Sequence, residues 1–502
     1  MTHLYKLSVL ALLVAIYFLV FNNFTLQNQN SESMDMPLSI GYLQDPANPM
    51  WQNYKDQDPF AYGYPNKTFH PEWLLKCSPF LTACYYPFVK LFGINSFTCT
   101  LYGTFFSLLA VLLTFIVAHK MFDKWTALLS CFFLISSLSW LIHSKIGIQQ
   151  PMPSVCLMIG VAYCLWSYNR IVWPTELALL GVLLSFCFMT GWIVFAFASI
   201  MTVLGIVIFR RNDVFTLLVS GFIVISTFLI FTIGFTALYS VFTGIDFIGI
   251  HKAVYDGFFY RFNQGSVPAA NHLGLFERIV YCLKCVFVNS EGIDHPDKYL
   301  EGVPSVPMIF SLMFFIGLWY SRKESALMLW LVSGFGVFLF YLFAGRYGLL
   351  VLPAMAIIAS HGILVLFKKV KYFTLPLLIG VMFIWIQTNQ QYYQDFTLKR
   401  TPNFEIDRMR GHWEFSQWLQ ANTDPKDTLV ILGDPVNMNA WQLMFHNFEK
   451  PYRFEYLSEK NQNRSNAVYV FGRNYFSILT AKPDFTYSYN GNELLRAYLP
   501  KK

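Results

Sequence analysis

Apolar residues run in long stretches along this chain, separated by short polar loops, and the stretches are longer than the core helices of a soluble domain need. A helix rises 1.5 Å per residue, so about 20 apolar residues cross the roughly 30 Å hydrocarbon layer of a bilayer. The first stretch runs from about Tyr5 to Phe21. Asn22-Asn23-Phe24 follows it in place of a small-residue cleavage site, so it reads as a retained first helix. Further stretches lie near 98–118, 125–142, 152–168, 175–190, 192–209, 214–240, 304–320, 326–344, 347–367 and 372–388. The pattern predicts an all-α polytopic membrane protein of about 11 transmembrane helices. One long apolar run must fold back on itself, and the hairpin is placed at Thr190-Gly191-Trp192.

Charge in the short loops orients these spans. Lys120, Lys124, Arg170, Arg210, Arg211, Arg322, Lys323, Lys368, Lys369 and Lys371 fall on one side, against Asp123, Glu176, Asp213 and Glu324. Short basic loops stay cytoplasmic, and Lys6 before the first span agrees. The expectation is a multi-pass protein of the cell inner (plasma) membrane with a cytoplasmic amino terminus. The long loops near 23–97 and 244–302 then face outside, as does the tail after about 389.

The outer segments differ from the spans in pattern. Trp73 to Phe92 is apolar but interrupted by Lys76, Pro79, Pro87 and Lys90, which reads as short interfacial helices divided by prolines and lysines. Leu273 to Val288 is a similar interfacial piece, with Glu277, Arg278 and Lys284 among apolar positions at helical spacing. In the tail, His412 to Asn422 reads as a helix and Thr428 to Gly433 as a strand. Asn437 to Phe448 reads as a second helix and Ala467 to Phe471 as a second strand. This alternation predicts a small α/β extracytoplasmic domain at 391–502, after a transmembrane region at 1–390.

Composition supports the membrane reading. Of 502 residues 13% are charged, where soluble domains carry about 25%. The mean hydropathy is +0.43, and 19% of residues are aromatic, 51 of them Phe. The net charge of +7 does not point to nucleic acid, because most basic residues sit just beyond apolar runs. Most of the nine cysteines read as packing residues, and Cys282 and Cys285 lack the second pair that a metal site needs.

Few residues are placed to carry chemistry. A carboxylate just outside a span can act as a general base on a hydroxyl, and Asp35 is the main candidate. Glu32 shares its face if that stretch is helical. Both also suit solvated loop positions. Arg346-Tyr347 at an outer helix start suits a phosphate at the membrane surface or an interfacial anchor, and Lys145 and Arg261 have the same two readings. His70, Asp58 and Gln150 are candidates to line the same cleft. No phosphate-binding Walker loop, dinucleotide fingerprint or nucleophile elbow occurs.

These pieces occur in a familiar order. Glu32 to Asp35 is followed by His70-Pro71 and by Pro87-Phe88-Val89-Lys90-Leu91-Phe92-Gly93. Then come Ser144-Lys145, Leu180-Gly181 to Thr190-Gly191, Arg346-Tyr347…Pro353 and Trp418-Leu419-Gln420-Ala421-Asn422-Thr423. The chain resembles the GT-C membrane glycosyltransferases of the dolichyl-phosphate-mannose–protein mannosyltransferase-like group, which are related to the lipid A aminoarabinose transferases. It departs from that pattern at Met36, Glu72, Gln149-Gln150 and the missing lysine before Gly191.

The resemblance implies inverting transfer of a sugar from a polyprenyl-phosphate donor to a lipid, glycan or protein acceptor at the outer face. Asp35, with Glu32 beside it, would deprotonate the acceptor, and Arg346, Lys145, Arg261 and Tyr347 would hold the donor phosphate. No cofactor is required by this reading, and assistance by a divalent metal stays open. A transporter or flippase of lipid-linked glycans would instead show inverted repeats and charges at mid-membrane. A polysaccharide polymerase would carry its large outer loop late in the chain. A non-catalytic membrane scaffold is the remaining alternative.

Overall fold

In the computed structural model the described residues are 31–46, 75–135, 150–170, 174–263, 274–287, 308–340, 345–369, 404–433, 452–457, 466–472, 481–489 and 492–500, with isolated positions between them. The first and last of the expected spans, 5–21 and about 372–388, fall outside or mostly outside them.

The chain is mostly helical, with a small carboxyl-terminal sheet. Helices α1 (Ser31–Gln44) and α2 (Pro79–Phe92) precede α3 (Ser96–Met121) and α4 (Lys124–Ile135). Next come α5 (Pro151–Arg170), α6 (Pro174–Thr190), α7 (Trp192–Arg210) and α8 (Val214–Thr243). Then α9 (Phe247–Asn263), α10 (Leu275–Phe287), α11 (Met308–Ser321), α12 (Ser325–Phe340) and α13 (Leu352–Lys369) complete the helical part. Helices α3, α5, α7 and α8 are long and apolar enough to cross a bilayer, and α4, α6 and parts of α11, α12 and α13 are shorter apolar helices.

The hairpin expected at Thr190-Gly191-Trp192 is present: α6 ends at Thr190, α7 begins at Trp192, and the two pack together. Elsewhere the bounds move. The stretch near 125–142 gives α4 only to Ile135, and Arg346-Tyr347 open a 3-10 turn, Gly345–Leu350, not the α-helix expected there.

Two close crossings set the bundle. At Gly181 of α6 an added Cβ would lie 2.6 Å from the Val224 carbonyl oxygen of α8. At Gly317 of α11 it would overlap the Ile358 carbonyl of α13, and at Gly362 it would overlap the Gly317 backbone. Small residues let backbones approach where apolar helices have no hydrophobic drive to pair in lipid. The bundle core gathers Trp140, Phe197, Phe310, Trp330 and Phe367.

Helix α8 shows its surroundings plainly. Phe222, Ile230 and Leu238 are exposed, and Val241 is 85% exposed. An apolar patch of that length is a lipid-facing surface, not a wetted one.

The bundle has two chemically distinct ends. Lys120, Lys124, Arg170, Arg210, Arg322 and Lys323 flank turns at one end, where Arg170 faces Glu324 at 3.7 Å. At the opposite end lie α1, α2, the α6–α7 turn, α9, α10 and the 3-10 turn, as the alternation of helices requires.

The tail contains α14 (Phe404–Asn422) and strands β1 (Leu429–Leu432), β2 (Arg453–Tyr456), β3 (Ala467–Gly472), β4 (Phe485–Tyr489) and β5 (Asn492–Tyr498). The sheet order is β2-β1-β3-β5-β4, with β1 parallel to both β2 and β3 and the other pairs antiparallel. The helix expected to start at His412 begins earlier, at Phe404.

Anchoring of this helix on the first strand does not fall to Trp413 and Trp418, both only partly buried. In the structure Phe415 and Leu419 do that work, both fully buried with Val430 and Leu432, while Trp418 lies 5.3 Å from Phe485 of β4. The reason is helical phase: Phe415 and Leu419 are one turn apart on the sheet-facing side.

Asn447, between β1 and β2 in the chain, ties its own segment to the helix. Its buried amide donates to Ser416 Oγ at 2.9 Å and to the Leu443 carbonyl at 2.7 Å, and accepts from Gln420 Nε2 at 3.0 Å. Asn447→Ala is expected to strand these partners and destabilise the domain by about 1–3 kcal/mol, read by chemical denaturation followed through Trp fluorescence.

Candidate functional site at the loop end of the bundle

Helix α1 carries Glu32 and Asp35 one turn apart, as the acidic stretch allows when helical. Their side chains lie outside the described part, but the residues that follow do not. Met36 to Gly41 are all buried, so the helix is enclosed on every face immediately after Asp35. A solvated loop would expose about half of such a turn. Proline at 37 removes one donor inside the helix, and packing compensates: Thr82 Oγ1 reaches Met36 Sδ at 3.3 Å and the Ser78 carbonyl at 3.1 Å.

Helix α2 is the shelf on which α1 rests, since the two pack together and both pack on α3. It starts with Pro79 in its first turn after Ser78, where a missing donor costs nothing. Pro87, expected to break the segment, sits inside an unbroken helix. Stacking carries it through that gap, with Tyr85 on Tyr102 at 3.9 Å and Phe88 edge-on to Tyr102 at 5.5 Å. Burial pushes the Cys84 thiol up to about 12 and the Tyr85 hydroxyl well above its ordinary value, so both stay protonated at neutral pH.

The Lys90-Leu91-Phe92-Gly93 motif is a corner. Gly93 takes φ +76°, a left-handed value that suits glycine. Asn95 Nδ2 donates to the Phe92 carbonyl at 2.6 Å, and Thr98 Oγ1 donates to the Gly93 carbonyl at 2.8 Å. A further link holds the shelf to the bundle: the Tyr239 hydroxyl of α8 donates to the Leu75 carbonyl at 2.9 Å.

The other side of this end is built around α5. Gln150 precedes it, and its backbone carbonyl accepts from Ser154 Oγ at 2.6 Å. The Gln150 amide lies against the α6–α7 turn, where an added Cβ on Gly191 would be 2.6 Å from Gln150 Nε2. The 3-10 turn bearing Arg346 and Tyr347 packs on α5, α10 and α13. Trp330 Nε1 fixes its end by donating to the Leu350 carbonyl at 2.9 Å, and Pro353 then opens α13. The side chains of Arg346, Tyr347 and Arg261, the last near the end of α9, lie outside the described part. His70, Asp58 and Lys145 lie outside the described residues altogether. Gln150 is thus the one candidate whose side chain is placed.

Helix α5 packs on both α3 and the 3-10 turn, so it bridges the side bearing Asp35 and the side bearing Arg346. The motif Trp418 to Thr423 is structural. Thr423 Oγ1 and the Tyr452 hydroxyl both donate to the Leu419 carbonyl, and Asn422 Nδ2 to that of Trp418. One buried apolar cluster runs from Met36, Leu38 and Ile40 through Leu81 and Tyr85 to Phe415, Val430 and Leu495. The carboxyl-terminal sheet and the first loop therefore share one core. No sequence signal marked Met36–Gly41 as buried, because Pro37, Ser39 and Gly41 interrupt any apolar period.

No protein-family model and no curated protein matches this sequence. Solved structures do. The chain is similar over 98% of both lengths to ArnT from Cupriavidus metallidurans bound to undecaprenyl phosphate, with a TM-score of 0.59 and 11% identity. The apo state of that protein gives 0.57. The apo oligosaccharyltransferase of Archaeoglobus fulgidus gives 0.50 at 13% identity over 89% of this chain, which spans 64% of that protein's length. The chain shares the fold of these proteins.

Proposed function

We propose that this chain is an integral membrane glycosyltransferase that moves a sugar from a polyprenyl-phosphate donor to an acceptor at the outer face of the membrane, with inversion. The observation that carries this reading is the shared fold along 98% of both chains with a protein solved with undecaprenyl phosphate. The enclosure of α1 directly after Asp35 supports a cleft in place of a solvated loop. The flippase and scaffold readings lack a comparable observation.

In this mechanism the Asp35 carboxylate accepts the proton of the acceptor hydroxyl. The hydroxyl oxygen attacks the anomeric carbon from one face while the bond to the phosphate oxygen breaks on the other. The electron pair leaves with the polyprenyl phosphate, whose charge Arg346, Lys145 and Arg261 offset, with Tyr347 as a hydroxyl donor. Glu32 raises the negative field beside Asp35, and His70, Asp58 and Gln150 line the cleft. The base and the phosphate site must stand about a sugar's width apart. Packing of α5 on both α3 and the 3-10 turn supports that separation.

The test is donor binding by the full chain in lipid nanodiscs. Undecaprenyl phosphate should bind, and Arg346→Ala should weaken it by about 10- to 100-fold, the equivalent of one hydrogen bond to a charged group. Retention no better than that of phosphatidylcholine would sink the reading. The same reading sets topology. A cysteine introduced at position 450 should react with a membrane-impermeant maleimide applied from outside, because the sheet shares its core with the first outer loop. Labelling only from the cytoplasmic side would reverse the orientation.

A further inference from the structure

The basic end of the bundle has a feature that sugar transfer does not use. Of its acids, Asp123 caps α4 by accepting from the Trp125 and Thr126 amides at 2.9 Å each. Asp213 caps α8 through Thr216, and Glu176 accepts from Ser167 Oγ and Thr175 Oγ1. Arg210 turns inward, donating to the Tyr168 carbonyl at 2.7 Å and lying 4.7 Å over the Tyr168 ring.

Another group sits at the neighbouring α5–α6 and α11–α12 turns. Arg170 and Arg322 sit over the rings of Trp166 and Trp319, at 4.7 and 3.9 Å, and Lys323 is exposed beside them. Glu324 faces Arg170 at 3.7 Å with the arginine half-exposed, a pair worth no more than about 1 kcal/mol and easily exchanged for another anion. Directly along α11 from Arg322 runs an exposed apolar column of Trp319, Phe315 and Leu312 at helical spacing.

Cations capping an apolar column match a molecule with an anionic head and a hydrocarbon tail. We propose that Arg170, Arg322 and Lys323 bind the phosphate of an anionic phospholipid, whose acyl chain lies on Leu312, Phe315 and Trp319. Each cation at a membrane surface contributes about 1 kcal/mol toward anionic lipid. The aromatic faces hold the guanidinium groups at the depth where headgroups sit.

This site lies at the end of the bundle opposite Asp35 and does not depend on the catalytic reading. Native mass spectrometry of the full chain from nanodiscs of mixed phosphatidylglycerol and phosphatidylcholine tests it without any transfer assay. Wild type should retain phosphatidylglycerol preferentially, and the double variant R170Q/R322Q should retain it roughly thirtyfold less. Glu324→Gln should retain more than wild type, since it removes the competing anion, and it keeps the test alive if the double variant does not fold. Equal retention of the two lipids, an unchanged preference in both variants, or displacement of the lipid by millimolar inorganic phosphate would overturn the proposal.

Discussion

Asp35→Asn should lower sugar transfer by about 10² to 10⁴ while leaving polyprenyl-phosphate binding within about twofold of wild type. The change removes the charge that accepts the acceptor's proton but keeps the side chain's size, so helix α1 should pack as before against α2. A general base acts in the transition state, and its loss falls on kcat more than on KM for the donor. The measurement pairs a single-turnover transfer assay with donor retention in the same nanodiscs. Full activity in the variant would move the base to Glu32, one turn earlier, or to Asp58. A variant that loses donor binding along with transfer would show that Asp35 holds α1 in place and is not the base. Enclosure of Met36–Gly41 makes that second outcome a real alternative, because a polar residue at the mouth of a buried turn can be structural.

Gly362→Leu should abolish the folded protein in membranes, or lower its yield at least tenfold. An added side chain at this position meets the Gly317 backbone and, at 3.2 Å, the Met313 carbonyl oxygen. Neither can rotate away, in contrast to the Gln150 amide beside Gly191. Helices α11 and α13 would have to separate, opening the contact that joins α13 to the bundle core at Ile358 and Ile363. Overpacking ordinarily costs about 1–3 kcal/mol, and a backbone clash at a helix crossing belongs at or above the upper end. Gly336→Leu on α12 is the control, since nothing lies within 4 Å of its added Cβ. Fluorescence size-exclusion chromatography of the two variants should separate them, and equal monodisperse yields would refute the crossing.

Hydrophobic run length determined most of the helical part, because a bilayer demands about 20 apolar residues wherever the chain crosses it. Starts and ends near Ser96, Pro151, Pro174, Trp192 and Val214 follow from it. So does the hairpin at Thr190-Gly191-Trp192, which a run too long for one crossing requires. The sheet was less legible. Strands β1 and β3 are β-branched and buried on both faces, and they show in the pattern. Arg453–Tyr456, Phe485–Tyr489 and Asn492–Tyr498 do not, because short runs of mixed polar and apolar residues take meaning only from the strands beside them. Proline at 87 misleads for a related reason: it removes one hydrogen bond and crowds the preceding turn, yet Tyr85 and Phe88 on either side of it pack on Tyr102 of the next helix. In the candidate site, residue type and position at the outer ends of spans offered Asp35 and Arg346, and the same signal also fitted a solvated acid and an interfacial anchor. How the segments that carry them are held came only from packing across distant parts of the chain. Met36 meets Thr82, Gln150 meets Gly191, and the first loop joins its core to the carboxyl-terminal sheet. Contacts between residues tens to hundreds of positions apart leave no period in the chain that makes them.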